Sequence, residues 1–208
     1  MLNIVINEPD VLFRQGLTYL LADFFAQKDR PEIRIDVHSS PAGILLADML
    51  VLSLAPGECF TCFTPSLAGR KGVAIGLVDA CPEWDALPSC FEDMLFIARR
   101  APLMQMRLTL EKAWARRLLH DAYRRPSSCA DCQYRGLTPQ QVRVMQELHQ
   151  GLSIADTAQR LGIAVKTVFS HKYAVMEKYR LRSDYELTLF LHRMAEKRSG
   201  FSAHSLIP

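Results

Sequence analysis

The chain has 208 residues, 49% of them hydrophobic and 23% charged, a balance that excludes a disordered or fibrous protein. Net charge is +3, but unevenly placed: residues 1–98 hold 6 Lys+Arg against 13 Asp+Glu, and residues 99–208 hold 19 against 9. A polyanion would therefore meet the second half, and the length allows two small domains.

In chain order, Leu2 to Ile6 is an apolar run of the strand type, ended by Asn7-Glu-Pro-Asp10. Val11 to Phe25 carries apolar residues at 12, 13, 17, 20, 21, 24 and 25, the pattern of an amphipathic helix. Ile33 to Val37 alternates as a short strand. Met49 to Leu54, Val73 to Val78 and Met94 to Ala98 are continuous apolar runs, expected of strands buried on both faces. Strands separated by helical stretches predict a doubly wound parallel sheet. The segments between the third and fourth strands, and between the fourth and fifth, carry little helix signal, so loops or stunted helices are expected there. Leu103 to Tyr123 reads as a long helix, apolar at 103, 106, 110, 114, 118 and 119. The run 123–136 reads as a linker.

Leu12-Phe-Arg-Gln-Gly-Leu17, Asp48-Met-Leu-Val-Leu-Ser-Leu54 and Met94-Leu-Phe-Ile-Ala-Arg99 make this half resemble the receiver domain of two-component response regulators. That resemblance implies a phospho-accepting Asp at the end of the third strand and an acidic pair holding Mg²⁺. Here the acceptor position is Ser53, and a serine hydroxyl cannot form an acyl phosphate. The acidic pair shrinks to Glu8 followed by Pro9, with Asp10 displaced, although an octahedral Mg²⁺ site wants closely placed carboxylates. The switch lysine aligns with Arg99, which keeps the charge but not the reach. The degenerate pocket is thus Glu8, Asp10, Arg99 and Ser53, and control by Asp phosphorylation is not expected. Asp48 and Asp79 are the alternative acceptors.

Beyond 136 the pattern turns wholly helical. Thr138-Pro-Gln-Gln141 is a capping box with proline at the first helical position, followed by Val142, Met145 and Leu148. Ser153-Ile-Ala-Asp156 caps a second helix whose stripe is Ala155, Ala158 and Leu161. Gly162 supplies a tight turn. A third helix starts near Val165 and turns Val168, Val175 and Tyr179 inward. That leaves Lys166, Phe169, Ser170, Tyr173 and Glu177 on the opposite face. Such a face suits the DNA major groove: lysine meets phosphate or guanine, the hydroxyl pairs either way, and aromatic edges meet thymine methyls. Ser183-Asp-Tyr-Glu186 opens a fourth helix with apolar residues on more than one side, Leu187, Leu189, Phe190 and Leu191. One stripe suffices for a core, so these four are candidate dimer contacts. After 196 the tail has no periodicity.

Leu137-Thr-Pro-Gln, Gly151-Leu-Ser-Ile-Ala-Asp-Thr-Ala, Leu161-Gly-Ile, Val165-Lys-Thr-Val168 and His171-Lys resemble the LuxR/FixJ-type helix-turn-helix domain over about 137 to 195. Lys166-Thr-Val-x-Ser-His-Lys172 is most similar to the Rcs-type regulators within that family. The resemblance adds Thr167 and Lys172 as phosphate contacts, so the expected DNA-binding set is Lys166, Thr167, Phe169, Ser170, Lys172 and Tyr173. Gln140–Gln141 and Ala164 depart from the family's Arg–Glu and capping Ser, each weakening a cap by about a kcal/mol at most. Together these patterns predict a receiver-like α/β domain over 1–122, a linker over 123–136, an all-α four-helix helix-turn-helix domain over 137–196 and a tail over 197–208. The expected partner is double-stranded DNA, bound as a homodimer or as a heterodimer with another LuxR-type regulator. The alternative is an interaction module that modulates another regulator without reading bases.

Two CxxC words, Cys59-Phe-Thr-Cys62 and Cys129-Ala-Asp-Cys132, could form a Cys₄ zinc site only if brought together, and redox sensing is a second possibility. The expectation is neither metal nor cofactor. Six histidines show no HExxH or Ser/His/Asp spacing, and no Gly-rich phosphate loop occurs, so no enzyme is expected. The opening MLNIVINEPD lacks a basic region before an apolar core, and the run Ala42 to Ala55, broken by Asp48, is too short to cross a bilayer. A cytoplasmic setting, without membrane association and with reduced thiols, is expected.

Overall fold

Apolar runs of five and six residues build the centre of the first unit. β1 (Leu2–Asn7), β2 (Ile33–Asp36), β3 (Met49–Ser53), β4 (Val73–Val78) and β5 (Leu95–Ala98) form one parallel sheet in the order β2-β1-β3-β4-β5. Every residue of β3 and β4 is buried, as strands covered on both faces require. In register, Asn7 lies beside Leu52, Ser53 beside Leu77 and Val78 beside Ala98, so the carboxyl ends of β1, β3, β4 and β5 open onto one edge. The strand order reverses between β1 and β3, where open α/β sheets form their crevice.

This computed structural model describes residues 1–26, 30–37, 41–61, 70, 72–80, 87–88, 91, 93–119 and 136–200. Cys62, Cys129 and Cys132, the expected linker up to 135 and the tail from 201 lie outside the described residues.

α1 (Val11–Phe25) and α3 (Leu103–Leu119) cover one face of the sheet. Leu17, Leu20, Leu21 and Phe24 of α1 join Met106, Leu110 and Ala113 of α3 over Ile4, Ile6, Met49, Val51 and Ile75. The bounds of α1 coincide with the sequence expectation, because Asp10 caps it by accepting the Phe13 N–H at 3.0 Å. The expected apolar stripe of α3 is only partly buried: Leu103 and Leu118 stay exposed. A short helix, α2 (Pro41–Leu46), precedes β3 and was not expected from the sequence. Its residues merge into the apolar run Ala42 to Ala55, which Asp48 interrupts. That carboxylate accepts from the Asn3 N–H at 2.9 Å and pairs with Arg117 at 2.8 Å. Burial works against its charge, but the Asn3 and Arg117 contacts hold its pKa below the usual value.

Contacts divide the chain into two units: Met1–Leu54 with Phe63–Cys132, and Ala55–Cys62 with Gln133–Pro208. The expected domain over 1–122 includes Ala55–Cys62, which instead groups with the second unit. The second unit contains α4 (Pro139–His149), α5 (Ile154–Leu161), α6 (Val165–Lys178) and α7 (Asp184–Gly200). The Thr138 capping box forms in full, with the Gln141 N–H on Thr138 Oγ1 and the Thr138 N–H on Gln141 Oε1. Ser153 caps α5, and Gly162 ends it at φ 66°, a left-handed backbone that glycine adopts without strain. Val144, Met145, Ala158, Val168, Val175, Tyr179, Leu187 and Phe190 make the core. Ala155, expected inward, is exposed. Among the described residues no helix is long and apolar enough to cross a membrane.

Candidate functional site

At the carboxyl edge of the sheet, Glu8 follows β1, Ser53 ends β3, Asp79 follows β4 and Arg99 follows β5. The fold brings Arg99 onto the other three. Its Nη2 stands 2.8 Å from Glu8 Oε2 as a charge pair and donates to Ser53 Oγ, while Nε lies 3.8 Å from Asp79 Oδ1. Its guanidinium carbon sits 5.3 Å from the centre of the Phe13 ring. The Glu8 side chain is fully buried, and its other oxygen accepts the Asp10 N–H at 2.9 Å. The expectation that Arg99 lacks reach is overturned: a long guanidinium spans from β5 to β1. Asp10 is not a pocket ligand here, because its carboxylate caps α1. Asp48 lies before β3, at the opposite end from Ser53, and is engaged by Arg117. The arrangement neutralises a buried carboxylate with an internal cation and offers no aspartate at the end of β3.

In the second unit, α6 divides its residues cleanly. Val168, Val175 and Met176 are buried, as is Tyr179 at its C-cap. Lys166, Phe169, Ser170, Tyr173 and Glu177 are exposed, and Thr167 is half-buried. The Phe169 and Tyr173 rings stack at 6.2 Å with planes 15° apart, forming a flat apolar ledge beside Lys166. Ser170 donates its hydroxyl hydrogen to the Lys166 carbonyl at 3.0 Å, which leaves the oxygen free to accept. Ala164 gives no side-chain cap, and the Thr167 N–H in the first turn of α6 bonds instead to the Ala164 carbonyl at 2.9 Å.

Lys172 stands apart from this face. It is 7% exposed, and its Nζ donates to Asp184 Oδ2 at 2.6 Å, tying α6 to the start of α7. The sequence expectation that it meets phosphate therefore conflicts with its position. On α7, Leu187, Phe190 and Leu191 are buried in the unit's own core, so of the four dimer candidates only half-buried Leu189 remains. Two sides of α7 are apolar because α4 covers one and Ala55–Cys62 covers another. Sequence reasoning missed that segment. Glu58 is 1% exposed and lies 3.5 Å from Arg193, whose pKa it raises against the effect of burial. A lone Glu in a loop 135 residues from its partner gives no sequence signal. Of the cysteines, Cys59 is buried here, and burial pushes its thiol up to about 12, an unreactive environment.

An α/β unit with a receiver-type strand order is followed in the chain by a four-helix unit whose third helix exposes one face. Residues 135–191 match the model of the GerE family, bacterial regulatory proteins of the luxR family, so the second unit carries a luxR-family helix-turn-helix domain. No curated protein matches the chain. Among solved structures it is similar to the two-component response regulator RcsB in complex with DNA, at 19% identity and TM-score 0.52, covering 92% of this chain and 98% of that one. RcsB from Salmonella enterica serovar Typhimurium, bound to promoter P1flhDC with the phosphomimetic BeF₃⁻, gives 17% identity and TM-score 0.55 over 91% and 97%. A structure of two RcsB dimers bound to two parallel DNAs gives 18% identity and TM-score 0.53 over 92% and 98%. At these identities the likeness is one of fold.

Proposed function

We propose that the chain is a sequence-specific DNA-binding regulator of transcription whose receiver-like unit works without Asp phosphorylation. The observation that carries this is the outward face of α6, where Lys166, Thr167, Phe169, Ser170 and Tyr173 stand opposite the helix's core side within a luxR-family domain. Lys166 and Thr167 address phosphate, and Phe169, Ser170 and Tyr173 address base edges. Lys172 serves as a buttress. The working division is 1–122, 123–136, 137–196 and 197–208, with Ala55–Cys62 contributing to the third part. Assembly on paired half-sites as a homodimer or heterodimer fits a regulator of this kind, with Leu189 the contact candidate on α7.

The test is a gel shift across a salt series, with the duplex selected by the wild-type chain from a random pool. Lys166→Ala is expected to weaken all duplexes alike and to flatten the salt slope by about one unit. Tyr173→Ala is expected to change sequence preference, at roughly 1–3 kcal/mol per lost base contact. If Tyr173→Ala leaves both affinity and preference unchanged, the reading face is misassigned.

A second reading is favoured by the sparse charge on α6. Lys172 is turned inward, and Lys178 donates to the Gly136 carbonyl, so Lys166 is the one exposed lysine among the described residues of that helix. In that reading the chain modulates another regulator by heterodimerisation without reading bases. A wild-type chain that selects no duplex by itself, yet shifts one with a partner, would favour it.

Phosphorylation independence rests on Ser53 and on the Arg99–Glu8 pair. After incubation with acetyl phosphate and Mg²⁺, the intact mass is expected to stay unchanged and the melting temperature to stay within error. A hydroxylamine-labile gain of one phosphate would overturn it.

A further inference from the structure

The luxR-family match ends at 191 and begins at 135, yet the unit that contains it includes Ala55–Cys62. That segment lies against the turn joining α6 to α7. Gly57 has φ +76°, and a Cβ built there would stand 2.8 Å from Leu181 Cδ2, 3.1 Å from Phe190 Cδ2 and 3.1 Å from the Tyr179 carbonyl oxygen. The side chain missing from Gly57 is thus the space the turn occupies. One residue on, Glu58 accepts the Ala55 N–H at 2.7 Å and faces Arg193 of α7 at 3.5 Å. Phe60 packs on the core, and the guanidinium of Arg180 sits over its ring at 5.3 Å.

The turn itself needs a support. Arg180 has φ 54°, a left-handed backbone that a side-chain-bearing residue adopts at a cost. Its conformation lets the Leu181 N–H reach the Met176 carbonyl at 2.8 Å and closes the end of α6. Glycine is the usual residue at such a position. Here an arginine holds it, with its side chain placed on Phe60.

We infer that Gly57 and Glu58 are positioning residues for the DNA-reading helix: Gly57 bears on the 179–181 turn that closes α6, and Glu58 holds Arg193 of α7, the helix whose Asp184 bonds Lys172 of α6. The inference rests on α6 being the reading helix. Neither residue touches the outward face. Their effect falls on the direction of α6, hence on discrimination among sequences more than on the general attraction to phosphate. The segment begins immediately after Leu54, so it is the first stretch of chain beyond the Ser53 strand end.

The experiment uses the full chain. Glu58→Gln, Arg193→Gln, Arg193→Lys and Gly57→Ala are compared with wild type by fluorescence anisotropy. The probes are the duplex selected by the wild-type chain and a random-sequence duplex of equal length, at a temperature where circular dichroism shows each protein folded. Backbone amide shifts of α6 and of residues 179–181 are recorded without DNA. Glu58→Gln and Gly57→Ala are expected to lower the selected-to-random affinity ratio by roughly 5- to 30-fold, the span of a one-to-two kcal/mol change, while random-duplex binding holds. Arg193→Lys is expected to recover part of what Arg193→Gln loses. Amide shifts are expected at 179–181 and along α6 but not in α5. A folded Glu58→Gln protein with the wild-type ratio overturns the inference. So does a rise in that ratio, which would make the segment a restraint. If the wild-type chain selects no duplex, the DNA reading itself fails. The amide shifts then decide alone whether Gly57 and Glu58 set the turn.

Discussion

Arg99→Ala is expected to cost the first unit about 3–5 kcal/mol, read as a lower urea midpoint at unchanged slope. Glu8 is the reason. Its side chain is fully buried at the end of β1, with Arg99 facing one oxygen at 2.8 Å. Folding has already taken that carboxylate out of water. The alanine variant keeps the burial and removes the compensating charge, which is the costly half of a buried pair. The Asp10 N–H still serves the other oxygen, so the loss falls on one side of the carboxylate. Glu8→Gln should be milder, because Arg99 is about a quarter exposed and keeps Ser53 and the edge of Asp79. The double variant Glu8→Gln with Arg99→Ala should recover much of the single Arg99→Ala loss. Arg99→Lys should fall between, since an ammonium keeps the charge but cannot bridge Glu8 and Ser53 as a planar fork does. An Arg99→Ala protein as stable as wild type would mean that the pair contributes only placement.

The same edge shows what a sequence can and cannot carry. Four strands were legible as apolar runs and β2 by its alternation, and Ser53 was legible because it ends one of the runs. That Glu8, Ser53 and Arg99 share a pocket followed from the resemblance to receivers. That Arg99 bridges the other two is a matter of reach in three dimensions. α2 was not legible because its six residues, Pro41 to Leu46, are too few to show a helical period. On α6, exposure followed the helical wheel at Lys166, Phe169, Ser170 and Tyr173. Lys172 failed because its burial depends on Asp184, on another helix. The wheel puts its stem beside the core and cannot say where the ammonium ends. On α7 the surplus of apolar residues was real, but its cause was internal. Gly57, Glu58 and Phe60 come from more than a hundred residues away to cover it. No local pattern records such a partner, and a match confined to 135–191 leaves it out.

Phe190→Ala is expected to destabilise the second unit by about 3–5 kcal/mol and to abolish selected-duplex binding at the temperature where the unit melts. Phe190 is 0% exposed, and its ring lies 4.5 Å from that of Tyr179, also fully buried. A Cβ at Gly57 would come within 3.1 Å of it, so the ring fills the space between α6, α7 and the Ala55–Cys62 segment. Alanine would leave a cavity whose walls are tied elsewhere: Tyr179 by the α6 terminus, Leu181 by its bond to the Met176 carbonyl, Gly57 by Glu58 and Arg193. Walls so held cannot collapse, which places the cost toward the upper end of the range. A domain whose whole stability is about 5–15 kcal/mol has little to spare after such a loss. The neighbouring Leu189 gives the contrast. It is half-buried and absent from that core, so Leu189→Lys should leave folding of the monomer nearly intact and change only the sedimentation of any dimer it serves. If instead Phe190→Ala melts as wild type while sedimenting as a smaller species, Phe190 belongs to a subunit contact after all. The core described for this unit would then have to be redrawn without Phe190.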